Sequence, residues 1–298
     1  MPSRIEVTDM RVTPDCVPCL MKRVLFQARL LNNGCESEAV AAALDVYARE
    51  YDESKNSAAV ATEVHRAAYA VMKADPYYQM KIDADRIAGE FLEQVTEYVE
   101  NSDDSFAAAI RVAVIGNIMD FGVGLAIERP EQFRERFQSL LDQGIGADDT
   151  EKLREKLKGS KSILYFFDNC GESQFDKLLI KEIQKMGVRV VGVVRGQAIL
   201  NDVTLEDAKR IGLDEILDDV VSTGLFAIGA DLANAGGDLK EELGKADMII
   251  AKGMANYESL SDQDAGIPKV FILRTKCEPV AKSLGVPADI NVVRYVDA

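Results

Sequence analysis

Five short, largely apolar runs, at positions 163–167, 188–194, 247–251, 270–273 and 292–296, set the tightest limit on what this chain can fold into. Each is far too short to cross a bilayer, and too continuous for a half-solvated strand, which would alternate apolar with polar residues. Such runs suit parallel strands buried on both faces. Helical spacing separates most of them, at 175–186, 205–211 and 278–284. Strands alternating with helices predict an α/β fold: a mostly parallel, Rossmann-like sheet with right-handed crossovers and helices on both faces.

The first hundred residues read differently. Leu20, Val24, Leu25, Ala28 and Leu31, then Val40, Ala43, Leu44 and Tyr47, recur three and four apart, the period of one face of a helix. Turn formers or proline interrupt the pattern at 32–34, 52–56 and Asp75-Pro76. An N-terminal all-helical domain over 1–104 is therefore expected, followed by an α/β domain over 105–298. Helical spacing also runs through 107–115, 130–142 and 149–157, so helices near the boundary can pack on either part.

Charge and cysteine usage narrow the function. Fifty acidic against 35 basic residues give a net charge of −15, which repels nucleic-acid phosphates and anionic membranes. The first thirty residues lack a signal peptide's apolar block, and no run approaches the ~18 apolar residues of a membrane span. A cytoplasmic protein with a small-molecule partner, rather than a nucleic acid or a membrane, is expected. The five cysteines are odd in number and widely scattered, unlike a secreted disulfide framework. His65 is the single histidine, so a catalytic metal has to rest largely on oxygen ligands.

In open parallel sheets ligands bind beyond the carboxyl ends of the strands. Those ends are polar here. Asp168-Asn169-Cys170-Gly171-Glu172 follows the first run, Arg195 and Asn201-Asp202 the second, Lys252-Gly253 with Asn256 the third, and Arg274-Thr275-Lys276 the fourth. Aspartate and asparagine oxygens suit a hard divalent cation, and lysine and arginine suit phosphate. Asp168 alone serves equally well as a helix N-cap. Asn117 and Asp120, in Gly116-Asn117-Ile118-Met119-Asp120, either face the same pocket or form an ordinary helix-ending turn. Ser222-Thr223-Gly224 offers backbone N–H groups to an anion, or is a plain loop.

Taken in order, these segments resemble the family once filed as domain of unknown function eighty-nine, now described as metal-dependent damage-control phosphatases. The matching motifs are Cys16-x-x-Cys19, Asp75-Pro76-Tyr77 with Lys81, Gly116-Asn117-x-x-Asp120, Asp168-Asn169-x-Gly171-Glu172, Asn201-Asp202-Val203-Thr204, Lys252-Gly253-x-x-Asn256-Tyr257-Glu258 and Arg274-x-x-Cys277. The Cys-x-x-Cys resembles the mark of the short, largely prokaryotic branch. The resemblance implies a divalent ion (Mn, Co, Ni or Mg) on Asp168, Asn169 and Asp202, and a phosphate pocket that includes Lys252, with Asn117 and Asp120 nearby. The implied activity is hydrolysis of a small phosphorylated metabolite.

In that reading Asp120, Lys252 and Arg274 are catalytic, and Asn117, Glu172, Arg195, Ser222, Asn256 and Lys276 bind substrate. Either a metal-activated water or Asp168 itself attacks phosphorus. Water is preferred, because a carboxylate that ligates an ion is a poorer nucleophile. The alternative from another class is a sugar-phosphate or nucleotide sensor that turns nothing over. Cys16 and Cys19, one helical turn apart, supply half of a structural zinc site if Cys35, His65 or Cys277 completes it, or else a redox pair or two small buried residues.

Overall fold

The computed structural model describes residues 8–117 and 138–298. Its centre is a seven-stranded sheet: β1 (Ala147–Asp148), β2 (Ser162–Phe166), β3 (Arg189–Val194), β4 (Asp219–Ser222), β5 (Met248–Lys252), β6 (Lys269–Arg274) and β7 (Asn291–Val296). The spatial order is β1-β7-β6-β5-β2-β3-β4. All neighbouring pairs are parallel except β6 with β7, which are antiparallel. The α/β sheet expected from the apolar runs is present.

The runs are continuous because both faces of the sheet are covered. Ile163, Tyr165 and Phe167 enter one core with Phe175, Leu179 and Ile183 of helix Glu172–Gln184 and with Ile110 and Val114 of helix Ser105–Gly116. Leu164 and Phe166 point the other way. They join a second core with Leu239, Tyr257, Leu260, Val280 and Leu284, from the helices Gly237–Leu243, Gly253–Leu260 and Glu278–Leu284.

At the N-terminal side, helices Cys16–Leu31, Glu36–Glu50 and Ser57–Met72 share a separate core built on Val24, Ala28, Ala43, Tyr47, Val64 and Ala68. Asn56 starts the third helix by accepting from the amides of Ala58 and Ala59. Helices Tyr78–Glu90 and Leu92–Glu100 pack elsewhere, since Ile87, Ala88, Phe91, Val95 and Val99 lie in the sheet's own core. A division at residue 104 would cut through that core. Of the helical spacing read at 130–142, only the last residues lie within the described parts.

Candidate active site

β2 and β5 are neighbours, and the chain runs outward from them in both directions, to β3 and β4 on one side and to β6 on the other. At such a switch point a crevice opens beyond the strand ends. Asp168 lies two residues past β2, and Lys252 is the last residue of β5. Gly253 follows with φ of +75°, and a Cβ built on it falls inside the Asp168 carboxylate. The sequence places glycine at 253 because the Asp168 side chain fills the space a larger residue would need.

Asp168 and Asp202 are not helix caps. The N-cap of helix Glu172–Gln184 is Gly171, without a side-chain cap bond. Thr204 caps helix Leu205–Arg210 in a capping box with Asp207. Both aspartates are buried beyond the strand ends. Their loops are joined edge to edge: the Val203 amide donates to Asp168 O at 2.9 Å, the Cys170 amide to Asn201 O at 2.8 Å, and Asn169 pairs with Asp202 in an isolated bridge. This backbone pairing brings Asp168, Asn169 and Asp202 together although 33 positions separate the loops.

A buried polar network surrounds them. Asn117 Nδ2 donates to Asp168 Oδ2 at 3.2 Å and to Glu172 Oε2 at 2.9 Å, and Asn169 Nδ2 donates to the same two oxygens at 2.8 and 3.1 Å. Arg195 Nε donates to Asp202 Oδ2 at 2.6 Å, and Nη1 to Asn256 Oδ1 at 2.9 Å. Its Nη2 has no hydrogen-bond partner and lies 3.7 Å from Asp168 Oδ1. Asn256 is locked by donating to the carbonyls of Phe167 and Lys252 at 2.9 and 2.8 Å. Burial raises the Asp168 pKa well above the ordinary carboxylate value, Asp202 and Glu172 add to the rise, and Arg195 and Lys276 oppose it.

Several predicted roles change. Lys252 is fully buried, and its ammonium donates to Ala113 O at 2.9 Å, Glu172 Oε1 at 2.5 Å and Asp176 Oδ1 at 2.7 Å. Those three bonds use every donor an ammonium has, leaving none for phosphate. Burial works against its charge, but Asp176 and Glu172 outweigh it and hold the pKa above the ordinary lysine value. Lys252 is therefore the counter-charge of two buried carboxylates. Glu172 and Asn256, expected to bind substrate, spend their polar atoms orienting Asn117, Asn169, Lys252 and Arg195.

Arg274 also turns away. Its Nε and Nη2 donate to Asp289 Oδ1 at 3.0 and 2.7 Å, and its Nη1 to Gln143 and Asn291. Only its backbone amide reaches the network, at 3.3 Å from Asn117 Oδ1. Ser222 Oγ accepts from the Gly224 amide at 3.0 Å, which makes it part of the turn after β4. Gly116 is the last residue of its helix and Asn117 the C-cap, and a Cβ at 116 would meet Glu172 Cγ at 3.2 Å. Asp120 lies outside the described residues.

Lys276 also lies within electrostatic reach of Asp168. It is half-buried, follows β6, two strands over from β2, and favours the charged form of Asp168. Sequence reading missed Asp176 and Tyr165, whose hydroxyl donates to Asp176 Oδ1 at 2.9 Å. The signal was available for Asp176: it stands four residues after Glu172, so one helix face carries both carboxylates.

The donor set fits a hard divalent ion. Two carboxylates, Asp168 and Asp202, and the Asn169 amide stand on paired loops, and a cation would favour the charged form of Asp168 that burial, Asp202 and Glu172 disfavour. No group of three or more His, Cys, Asp or Glu side chains among the described residues is arranged as a metal cage. A carboxylate–carboxylate–amide set falls outside that description; near Cys16 and Cys19, only Cys277 of the three further ligands read from the sequence is close enough to interact with both thiols. His65 is instead buried against Gln27, with Nδ1 3.0 Å from Oε1, and all five cysteines are free thiols.

The switch point thus gathers oxygen donors and buried cations at the strand ends, where open α/β sheets bind their ligands. The damage-control phosphatase ARMT1-like domain matches residues 12–292, and the chain belongs to that family of phosphatases. A damage-control phosphatase of Archaeoglobus fulgidus is 37% identical over 291 residues, covering 97% of this chain and 100% of the relative. One of Pyrococcus horikoshii is 31% identical over 283 residues, covering 93% and 96%. The crystal structure of a P. horikoshii protein of the same former unknown-function family superposes with a TM-score of 0.85 at 30% identity, covering 95% of this chain and 98% of that one. Among the described residues no helix is long and apolar enough to cross a membrane.

Proposed function

We propose that the protein is a metal-dependent phosphomonoesterase acting on a small phosphorylated metabolite, a sugar phosphate or a related damaged metabolite, with the divalent ion on Asp168, Asn169 and Asp202. The observation that carries this is the packing of Asp168 against Gly253 at the switch point, beside Asp202 and the unsatisfied Nη2 of Arg195. When bound, the ion supplies Lewis-acid polarisation of the phosphate and a water acidic enough to attack.

The chain's own residues do the rest. Arg195, fixed by Asp202 and Asn256, presents one N–H to a phosphate oxygen in a site where water is scarce. Lys276 adds a second positive charge from the end of β6. Asn117 and Asn169 hold Asp168 and Glu172 in place, and Lys252 pairs with Glu172.

The test is turnover of an aryl phosphate and a panel of sugar phosphates with added Mn²⁺, Co²⁺, Ni²⁺ or Mg²⁺. Metal-stimulated release of phosphate is expected. Tight binding of a sugar phosphate or nucleotide without turnover under any of the four ions would replace the enzyme by a sensor.

A further inference from the structure

Helix Tyr78–Glu90 carries two buried charged residues one turn apart, Lys81 and Asp85, and each reaches a different ligand-bearing loop. Asp85 Oδ1 accepts from the Gly171 amide at 2.6 Å. Gly171 sits at φ of +83°, where a Cβ would lie 3.1 Å from both Cβ and O of Ala84, so the turn after Asn169 is pressed onto this helix. Lys81 Nζ lies 3.3 Å from Asp207 Oδ2, the oxygen that accepts from Thr204 and so closes the loop holding Asp202. Arg210 completes the ring, donating to Asp85 Oδ2 at 2.6 Å and pairing with Asp207 Oδ1 at 2.7 Å.

We infer that Lys81 and Asp85 are positioning residues that hold the Asp168–Asn169 turn and the Asp202 loop at the separation one ion requires; this rests on the metal reading proposed above. The amide of a residue that opens a helix ordinarily takes water or an anion. Here Asp85 takes it from another helix, so Gly171 is withdrawn from phosphate binding and the turn before it cannot relax. Helix Tyr78–Glu90, on this inference, sets the metal affinity of a site to which it contributes no ligand.

The test compares the parent with D85A, D85N and K81M by Mn²⁺ titration calorimetry of the metal-free protein and by deuterium exchange over residues 168–174 and 200–204. D85A should weaken Mn²⁺ binding by about tenfold or more, the usual effect of losing a partner that orients a ligand loop. Exchange over 168–174 should quicken. D85N, whose amide oxygen still accepts from Gly171, should fall between D85A and the parent, and K81M should act on 200–204. At saturating Mn²⁺, kcat should stay within about threefold of the parent, because the reacting groups are intact.

Parental affinity and exchange in D85A and K81M would overturn the inference. Should D85A fail to fold, parental values in both D85N and K81M would do the same. If the parent itself binds no Mn²⁺, the metal reading has failed, and the exchange data then decide alone whether the helix restrains the two loops.

Discussion

Gly253 leaves the space that the Asp168 carboxylate fills. Gly253→Ala adds a methyl group where that carboxylate stands, at a φ of +75° that alanine also resists. Asp168 has to move, and displacing a reacting or ligating group by about 1 Å costs on the order of a hundredfold in rate. Metal-stimulated kcat/KM should fall at least that far, with Mn²⁺ affinity falling alongside. Parental kinetics in G253A would show that Asp168 is not at the reacting centre.

Asp168 and Asp202 should separate when each becomes asparagine. Asp202 is the partner of the buried Arg195, so Asp202→Asn strands a buried charge and should cost about 3–5 kcal/mol of stability. Burial, Asp202 and Glu172 all disfavour a charge on Asp168, so Asp168→Asn, which puts a neutral group there, should leave the metal-free protein as stable or more so. Both should abolish metal-stimulated hydrolysis. Urea midpoints and phosphate release give the two readouts, and equal destabilisation by both changes would contradict the charge arrangement.

Lys252 and Lys276 should also part company. Lys252→Met leaves Glu172 and Asp176 buried without their counter-charge, a loss of about 3–5 kcal/mol. Lys276→Met, at a half-buried position, should destabilise far less than Lys252→Met and lower kcat/KM by roughly tenfold, the value of one charge-assisted phosphate bond. If Lys252→Met folds normally and only KM rises, the lysine that meets phosphate is Lys252 after all.

These contrasts mark where the sequence stopped being legible. The five apolar runs read directly as β2, β3, β5, β6 and β7, because strands buried on both faces need no alternation. β4 did not, since it is four residues long and has Asp219 and Ser222 at its ends; neither did helix Gly253–Leu260, which opens on a glycine. Strand-end polarity located the site, but not the use of each side chain. That Lys252 is spent on Glu172 and Asp176 depends on the first turn of helix Glu172–Gln184 standing beside the end of β5, and that Arg274 is spent on Asp289 and Asn291 depends on β7 returning antiparallel. Asp85 reaches Gly171 across 86 positions. Spacing in the chain carries no trace of such pairings.

The last prediction concerns His65, which is fully buried, bonded to Gln27, and held at a pKa of about 3 by burial, with Arg23 adding to the fall. A histidine in the unfolded chain titrates near 6.5. The unfolded state therefore gains a proton first as pH drops, and folding stability, complete above about 6.5, declines from there down toward about 3. The slope from this group approaches about 1.4 kcal/mol per pH unit, so the loss between pH 7 and pH 5 is about 2 kcal/mol. Other groups titrate over the same range, so the readout is the difference between the parent and His65→Gln, which keeps a polar group beside Gln27 and cannot take up a proton. Urea midpoints at pH 7 and pH 5 should show the parent losing more stability than the variant by about that amount. Parallel losses in the two proteins would mean that His65 takes its proton in the folded state as readily as in the unfolded one, and that its burial against Gln27 does not keep it neutral.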